Sequence, residues 1–339
     1  MPTPRRVELI TQIEKKRGSR VLVYVTGDRR GQETKIATDV FPFILEHLLS
    51  FGHVSHLDLF LYTSGGLINA ASGLVALIKE FAEKFSVLIP FKAHSAGTLI
   101  ALGANSIVMS RVGQLTPVDP TITSPYNPTV PSPVPGAPPQ VLPVNVEDVI
   151  GYIELGKEEV GLKGESALAA VFQDLASKVH PLALGNVYRA RAQIKLVARR
   201  LLKAHKLSKE KIDRIVSTLT KELYSHDYII GRREAIEVLG LPVEKANPEW
   251  DEPLWSLYKE YESLLGLTVP TNPDVLLGEQ AFVTHTSTRA IIESSAFTHA
   301  FQTVREIRRI QVSKAGMAEP VVGFQERTLQ EGWVANAEV

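Results

Sequence analysis

The chain has 339 residues, 44% of them hydrophobic and 22% charged, and its 37 Lys plus Arg balance 37 Asp plus Glu. That profile belongs to a globular protein with a sizeable core and argues against a nucleic-acid partner. With no cysteine, disulfides, thiolate catalysis and cysteine-bound metal are excluded, which fits a reducing compartment.

The opening stretch, MPTPRRVELITQIEKKRGSR, is charged and lacks a continuous apolar run, so no secretory signal is expected and residues 5–16 read as a short helix. RVLVYVTG, Arg20 to Gly27, reads as a buried strand. A polar stretch leads into VFPFILEHLLSFG, apolar at helical spacing and ended by Gly52. Strand 57–62, helix 67–84, strand 86–93, helix 96–104 and strand 106–109 follow, an alternation that predicts an α/β fold with a parallel sheet. Apolar runs such as Leu99 to Met109 contain Asn105 and Ser106 and fall short of the ~18 residues a membrane span needs. The expectation is a cytoplasmic protein without a membrane span.

Residues 125–143, PYNPTVPSPVPGAPPQVLP, hold eight prolines. Proline lacks the amide donor and restricts its predecessor, so no regular element is expected there. The segment reads as a polyproline-like linker or as a loop gating a site. From Val146 to Ala204 the pattern is helical, with Ala190, Ile194, Val197 and Leu201 on one face. Nine Lys or Arg and no acid lie between Leu175 and Lys209, which reads as a solvated or interface face, not a nucleic-acid track, because no aromatics interleave. An N-cap serine then opens a helix, the chain breaks at Ser225-His226-Asp227, and helix 232–239 ends at Gly240. The tail carries a Trp/Tyr-rich helix near 252–265, a strand-like AFVTHTSTRAIIESS, and FTHAFQTVREIRRIQV, which fits helix or hairpin.

Two strands end in small residues before a helix: LDLFLYTSGG and FKAHSAGT. In a right-handed β-α-β unit both turns fall on one sheet edge. Each opens a helix whose first amides lack partners and carry positive partial charge. The turns therefore predict an anion-binding corner with the Ser95 hydroxyl in it, the geometry acyl transfer needs. Three other readings stand beside it. Ser95 is an ordinary N-cap, the glycines are ordinary turn residues, or the corner holds phosphate, although neither GxGxxG nor GxxxxGK[ST] is present.

LDLFLYTSGG, FKAHSAGTLIALGANSIVMS, GQLTPVDP and SHDYIIGRREAIEVLGLPV, in that order, resemble the serine dehydrogenase proteinase family, within the superfamily of the Clp protease proteolytic subunit and crotonase. The resemblance covers roughly residues 5–245. It implies a fold of repeated β-β-α units with helical additions, Ser95 as nucleophile, and the amides of Gly65, Gly66 and Ala96 as the oxyanion hole. It sets residues 1–245 as the peptidase domain and 246–339 as a C-terminal α+β extension. It also implies a peptide or protein substrate, a homo-oligomer, and a separate ATPase or regulatory partner as a further option. Neither metal nor cofactor is expected, since no HExxH or paired ligand spacing occurs.

The base is less direct. The turn that supplies the histidine in the Clp subunit corresponds to GQLTPVDP, where Asp119 is the only titratable residue. The acid position falls near Asp227, with His226 beside it. Membrane-bound relatives use a lysine from the following helix; here that helix carries Lys157 and Lys163, and the matching position reads as Glu154. His226 leads the candidates, followed by Asp119, His180, Lys157 and His94. His53 and His56 read as surface residues. A scaffold that kept the fold and lost the triad, and a crotonase-like acyl-CoA enzyme, are the alternative functions.

Overall fold

The computed structural model describes residues 2–118, 121–122, 124–132, 138–205, 207–222, 227–245, 248–312 and 321–335. Two compact units are present, one of residues 1–115 with 231–339 and the other of 116–230.

The first unit begins with helix α1 (Pro4–Arg17), which Thr3 caps by accepting the Arg6 N–H at 3.3 Å and which Gly18 ends in the left-handed region. Strand β1 (Arg20–Thr26) follows, then α2 (Phe41–Phe51), β2 (Val54–Tyr62), α3 (Ile68–Lys79), β3 (Ala82–Ile89), β4 (Lys92–Ala93), α4 (Ala96–Gly103), β5 (Ser106–Met109) and β6 (Gln114–Leu115). The expected α/β alternation is present, with two differences. Residues 82–84 are strand, not helix, because Val54 to His56 lie opposite them, and pairing overrides an amphipathic local pattern. The expected strand 86–93 is broken at Pro90, which cannot donate to a ladder. Lys92 and Ala93 then pair separately with β6.

After the second unit the chain returns with α9 (Arg232–Glu237), β7 (Val243–Lys245), α10 (Pro248–Leu264), β8 (Phe282–Glu293), β9 (Thr298–Val312) and β10 (Val321–Ala335). The main sheet runs β7-β5-β3-β2-β1-β8-β9-β10. Its first five strands are parallel and its last three antiparallel. Segment 246–339, set apart in the sequence as an extension, thus supplies three strands of this sheet and lies in the same unit as residues 1–115. The stretch left open between helix and hairpin is β9, hairpinned to β8; β10 had no counterpart among the expected elements.

Alternation along β1 sends Val21, Val23 and Val25 to one face, where they pack in a core with Leu9, Ile10 and Ile13 of α1 and Leu257 and Tyr261 of α10. The Arg6 guanidinium is buried there and donates to Glu293, whose carboxylate also accepts the Tyr261 and Thr298 hydroxyls, so the buried charge is fully answered.

The second unit is mostly helical: α5 (Val146–Glu158), α6 (Glu165–Lys178), α7 (Pro181–Leu202) and α8 (Lys209–Ser217). Ile194, Val197 and Leu201 of α7 are buried as the spacing predicts, and Ser208 caps α8. The proline-rich segment departs from the expectation of no regular structure. Thr129–Val130 pair antiparallel with Gln140–Val141, and Asn127 Nδ2 donates to Leu142 O at 2.9 Å. None of these four paired residues is a proline, so the ladder bonds survive. Residues 133–137 lie outside the described set.

Candidate active site

The turn after β2 and the turn after β4 are joined directly. Thr63 N–H donates to Lys92 O at 2.9 Å and His94 N–H donates to Thr63 O at 3.1 Å, a parallel bridge between Thr63 and Ala93. The small residues are there because the two turns nearly touch. A Cβ on Gly65 would lie 2.9 Å from Ser95 Cβ, and one on Gly97 would lie 2.6 Å from the Thr63 methyl.

Ser95 is not an ordinary N-cap. Its φ of 49° and ψ of −107° make it the one non-glycine residue with positive φ among the described residues, and its side chain makes no capping bond to the amides of α4. An N-cap serine normally has extended backbone and accepts from the second or third amide. A non-glycine residue in this region is strained and is held there by its surroundings. Here the restraints include the Thr63–His94 bond before it and the bonds Gly97 N–H to His94 O (2.8 Å) and Leu99 N–H to Ser95 O (3.2 Å) after it. At this strand-to-helix turn the half-buried Ser95 side chain lies against Gly65, where an added Cβ would sit 3.4 Å from its Oγ.

The TSGG turn is gripped from its other side by Ile36. Ile36 N–H donates to Gly65 O and Leu67 N–H donates to Ile36 O, both at 2.8 Å. In such a parallel bridge the intervening residue points its own amide the other way, so the Gly66 N–H is directed away from Ile36. Gly66 has no room for a side chain, since a Cβ would lie 2.2 Å from Ile36 O. The Gly65 amide behaves differently from its neighbour. It donates to Thr63 Oγ1 at 3.0 Å and so is engaged inside its own turn. Of the three expected oxyanion amides, that of Gly65 is engaged within its own turn and that of Gly66 is directed away from Ile36.

Asp119 and His226 lie outside the described residues. Asp227 is exposed and belongs to the unit 116–230. In that unit His180 caps α7 by accepting the Leu182 N–H at 3.2 Å and stacks on Tyr126, while Lys157 is exposed on α5. His94 holds the corner together through its backbone. His53 is exposed, as expected, but His56 is turned inward, with Nε2 2.9 Å from Ser86 Oγ and 3.3 Å from Asp58.

Three contributors had no signal in the sequence. Ile36 is a single apolar residue in a polar stretch. Thr26 donates to Thr63 Oγ1 at 2.7 Å from the end of the neighbouring strand. Lys92, three positions before Ser95, is tied to Asp28 at 2.7 Å, and Asp28 also accepts the Tyr62 hydroxyl at 2.9 Å. Burial and the Asp28 charge push the Tyr62 phenol well above its ordinary range. Lys92 is thereby the cation of an ion pair.

Among the described residues no helix is long and apolar enough to cross a membrane. An uncharacterized protein of Methanocaldococcus jannaschii is 28% identical to this chain over 263 residues, covering 75% of this chain and 79% of its own. A second uncharacterized protein of that organism is 33% identical over 126 residues, 35% of this chain and 42% of its own. Among solved structures, a membrane-bound stomatin-specific protease, determined as a serine-to-alanine mutant, aligns at 14% identity over 68% of this chain and 81% of its own. Its TM-score is 0.32, too low to argue from. Residues 3–133, the stretch that holds β1 to β6 and both turns of the Ser95 corner, match the family of ClpP-like SDH-type serine proteinases.

Proposed function

We propose that the chain is a serine peptidase that cleaves peptide bonds of protein substrates through an acyl-enzyme at Ser95. The observation that carries this reading is the strained, non-capping Ser95 beside the outward Gly66 amide. In the reaction, Ser95 Oγ bonds to the substrate carbonyl carbon while a base takes its proton. The oxyanion faces the amides of Gly66 and Ala96. The C–N bond then breaks, the amine leaves with the proton, and water releases the acyl group by the same steps in reverse order. By the family resemblance, the base in this reading is His226, with Asp119 as an orienting acid and Asp227 near the acid position. The working assembly is a homo-oligomer, and light scattering that finds a monomer at micromolar concentration would remove that part.

The test is labelling with a fluorophosphonate probe. The parent chain is expected to form one adduct, mapped to Ser95 by mass spectrometry, and Ser95→Ala to form none. A folded parent that does not react, yet keeps the corner, would favour a scaffold. Binding of a CoA thioester in place of labelling would favour an acyl-CoA enzyme.

A further inference from the structure

Arg29 follows the end of β1 and packs on the loop after α10. A Cβ on Gly266 would lie 3.1 Å from its Nη1 and 3.5 Å from its Cζ, so the guanidinium rests against that backbone. Among the described residues, this half-buried side chain makes no hydrogen bond and no ion pair. Only its Nε is shut off from solvent, which leaves the two terminal nitrogens to meet a ligand. The carboxylates of the surroundings are committed elsewhere. Asp28 is taken by Lys92 and the Tyr62 hydroxyl, Asp274 by Arg309 and Glu326 by Arg305. A cation partly withdrawn from water and left without an anion calls for one.

Two cavities, of about 340 and 330 Å³, share Arg29, Val269 and His285 in their walls. Both are at the small end of the range for ligand pockets, roughly 300–1,000 Å³. Among the described residues, no Asp or Glu lines either of them, and neither is lined by the Ser95 corner. Burial, then the charges of Arg29 and Arg305, lowers the His285 pKa below its ordinary value. Near neutral pH the imidazole is therefore uncharged and offers a hydrogen bond, and the walls carry one positive charge.

One positive charge is balanced by a monoanion, whereas a dianion would leave a charge unanswered. The planar fork of a guanidinium matches a carboxylate with two parallel bonds. The larger cavity continues from the fork along Val269, Pro270, Val275 and Leu276, an apolar wall that suits a hydrocarbon group. We propose that Arg29 anchors a binding site for a small monocarboxylate with an apolar tail, either a free acid or the carboxyl terminus of a short peptide.

Hexanoate serves as the probe, and hexanamide, the same chain without the charge, as its control. In an NMR titration of the full chain, hexanoate is expected to bind saturably and to shift the Arg29 Nε resonance, the His285 ring and the methyls of Val269 and Val275. Arg29→Gln should weaken it about tenfold. Val275→Asp, at an exposed position, sets an anion in the same cavity and should also weaken hexanoate; it decides the question if the arginine variant does not fold. Hexanoate that fails to saturate, hexanamide that binds equally well, or an unchanged affinity in either folded variant would overturn the site. N-acetylleucine, which stands for a peptide end, separates the two sources: tighter binding than hexanoate supports the site as one for peptide termini, weaker binding as one for free acids.

Discussion

Two serines in the first unit sit in opposite settings. Ser294, in the turn between β8 and β9, heads a hydrogen-bonded chain: its Oγ lies 2.9 Å from His47 Nδ1, His47 Nε2 lies 3.2 Å from His299 Nδ1, and His299 Nε2 lies 3.1 Å from Glu46. By its parts this is a serine, two histidines and an acid. Yet Ser294 is wholly buried, and its Oγ accepts the Ala296 N–H at 3.3 Å, so it braces a turn that no substrate reaches. Ser95 differs in having a strained backbone, partial exposure and a neighbouring turn that directs an amide outward. What separates a candidate nucleophile from a structural serine is access and oxyanion donors, not the presence of a histidine within reach.

The largest effect expected comes from exchanging the two serines one at a time. Ser95→Ala should abolish fluorophosphonate labelling and peptide hydrolysis, while Ser294→Ala should label as the parent does and lose only some thermal stability. Labelling that survives the first change and disappears in the second would invert the comparison.

Gly66→Ala tests the other half of the corner. The added methyl meets backbone atoms of Ile36, with its oxygen at 2.2 Å and its nitrogen at 2.4 Å, and backbone cannot rotate away as a side chain can. The turn must move, and the Gly66 amide moves with it. Loss of one oxyanion donor is worth on the order of 10²-fold in kcat, and single-turnover kinetics should show a loss of that order with labelling slowed but not abolished. Unchanged acylation would put the oxyanion elsewhere.

The sequence made the parallel alternation legible because it is local: valine-rich strands, glycine stops and helical spacing are written in neighbouring residues. The two glycine-rich turns were legible as a pair for the same reason, once the β-α-β rule joined them. Strand partners are not local. Nothing in the residues of β8 says that it returns to lie beside the end of β1, where Val23 to Thr26 pair with Glu293 to Ala290. Ile36 was invisible because its role is two backbone bonds, which any residue type can make. The strain at Ser95 was equally hidden, since the same Ser-Ala-Gly would serve a normal cap. The base was out of reach because a histidine's role depends on what it faces, as His56 and His47 show: both are drawn inward by partners far along the chain.

The buried histidines sharpen the comparison through pH. Burial, then the neighbouring His299 charge, lowers the His47 pKa from its ordinary value to about 3, and burial also lowers that of His299, with Glu46 opposing. His47 is therefore neutral in the fold, while in the unfolded chain it takes a proton below about pH 6.5. Between those values the unfolded state binds more protons, so stability is intact above pH 6.5 and falls as the pH drops toward 3. Thermal unfolding should show a loss on the order of 3 kcal/mol between pH 7 and pH 4. His47→Phe, which keeps the stack on Phe297, should flatten that slope. A slope that is the same in both proteins would assign the acid sensitivity to other groups.

The smallest effect expected is at Thr63, where the two turns meet. Its Oγ1 accepts the Gly65 N–H at 3.0 Å and the Thr26 hydroxyl at 2.7 Å, all three residues being buried. Thr63→Val keeps the shape and removes the acceptor, leaving the Gly65 amide buried and unanswered at a cost of about 1–2 kcal/mol. Thr63→Ser keeps the acceptor and removes the methyl that lies where a Gly97 side chain would go. The two variants therefore separate hydrogen bonding from packing. Hydrogen exchange at the Gly65 amide should accelerate in the valine variant and stay slow in the serine variant. Thermal stability should fall further in the valine variant, by a few degrees. Acylation of Ser95 should slow a few-fold in the valine variant as the adjoining Gly66 amide loses its fixed direction. If Gly65 exchanges equally slowly in both, the turn is held by Ile36 alone, and Thr63 contributes only its methyl to the contact between the two turns.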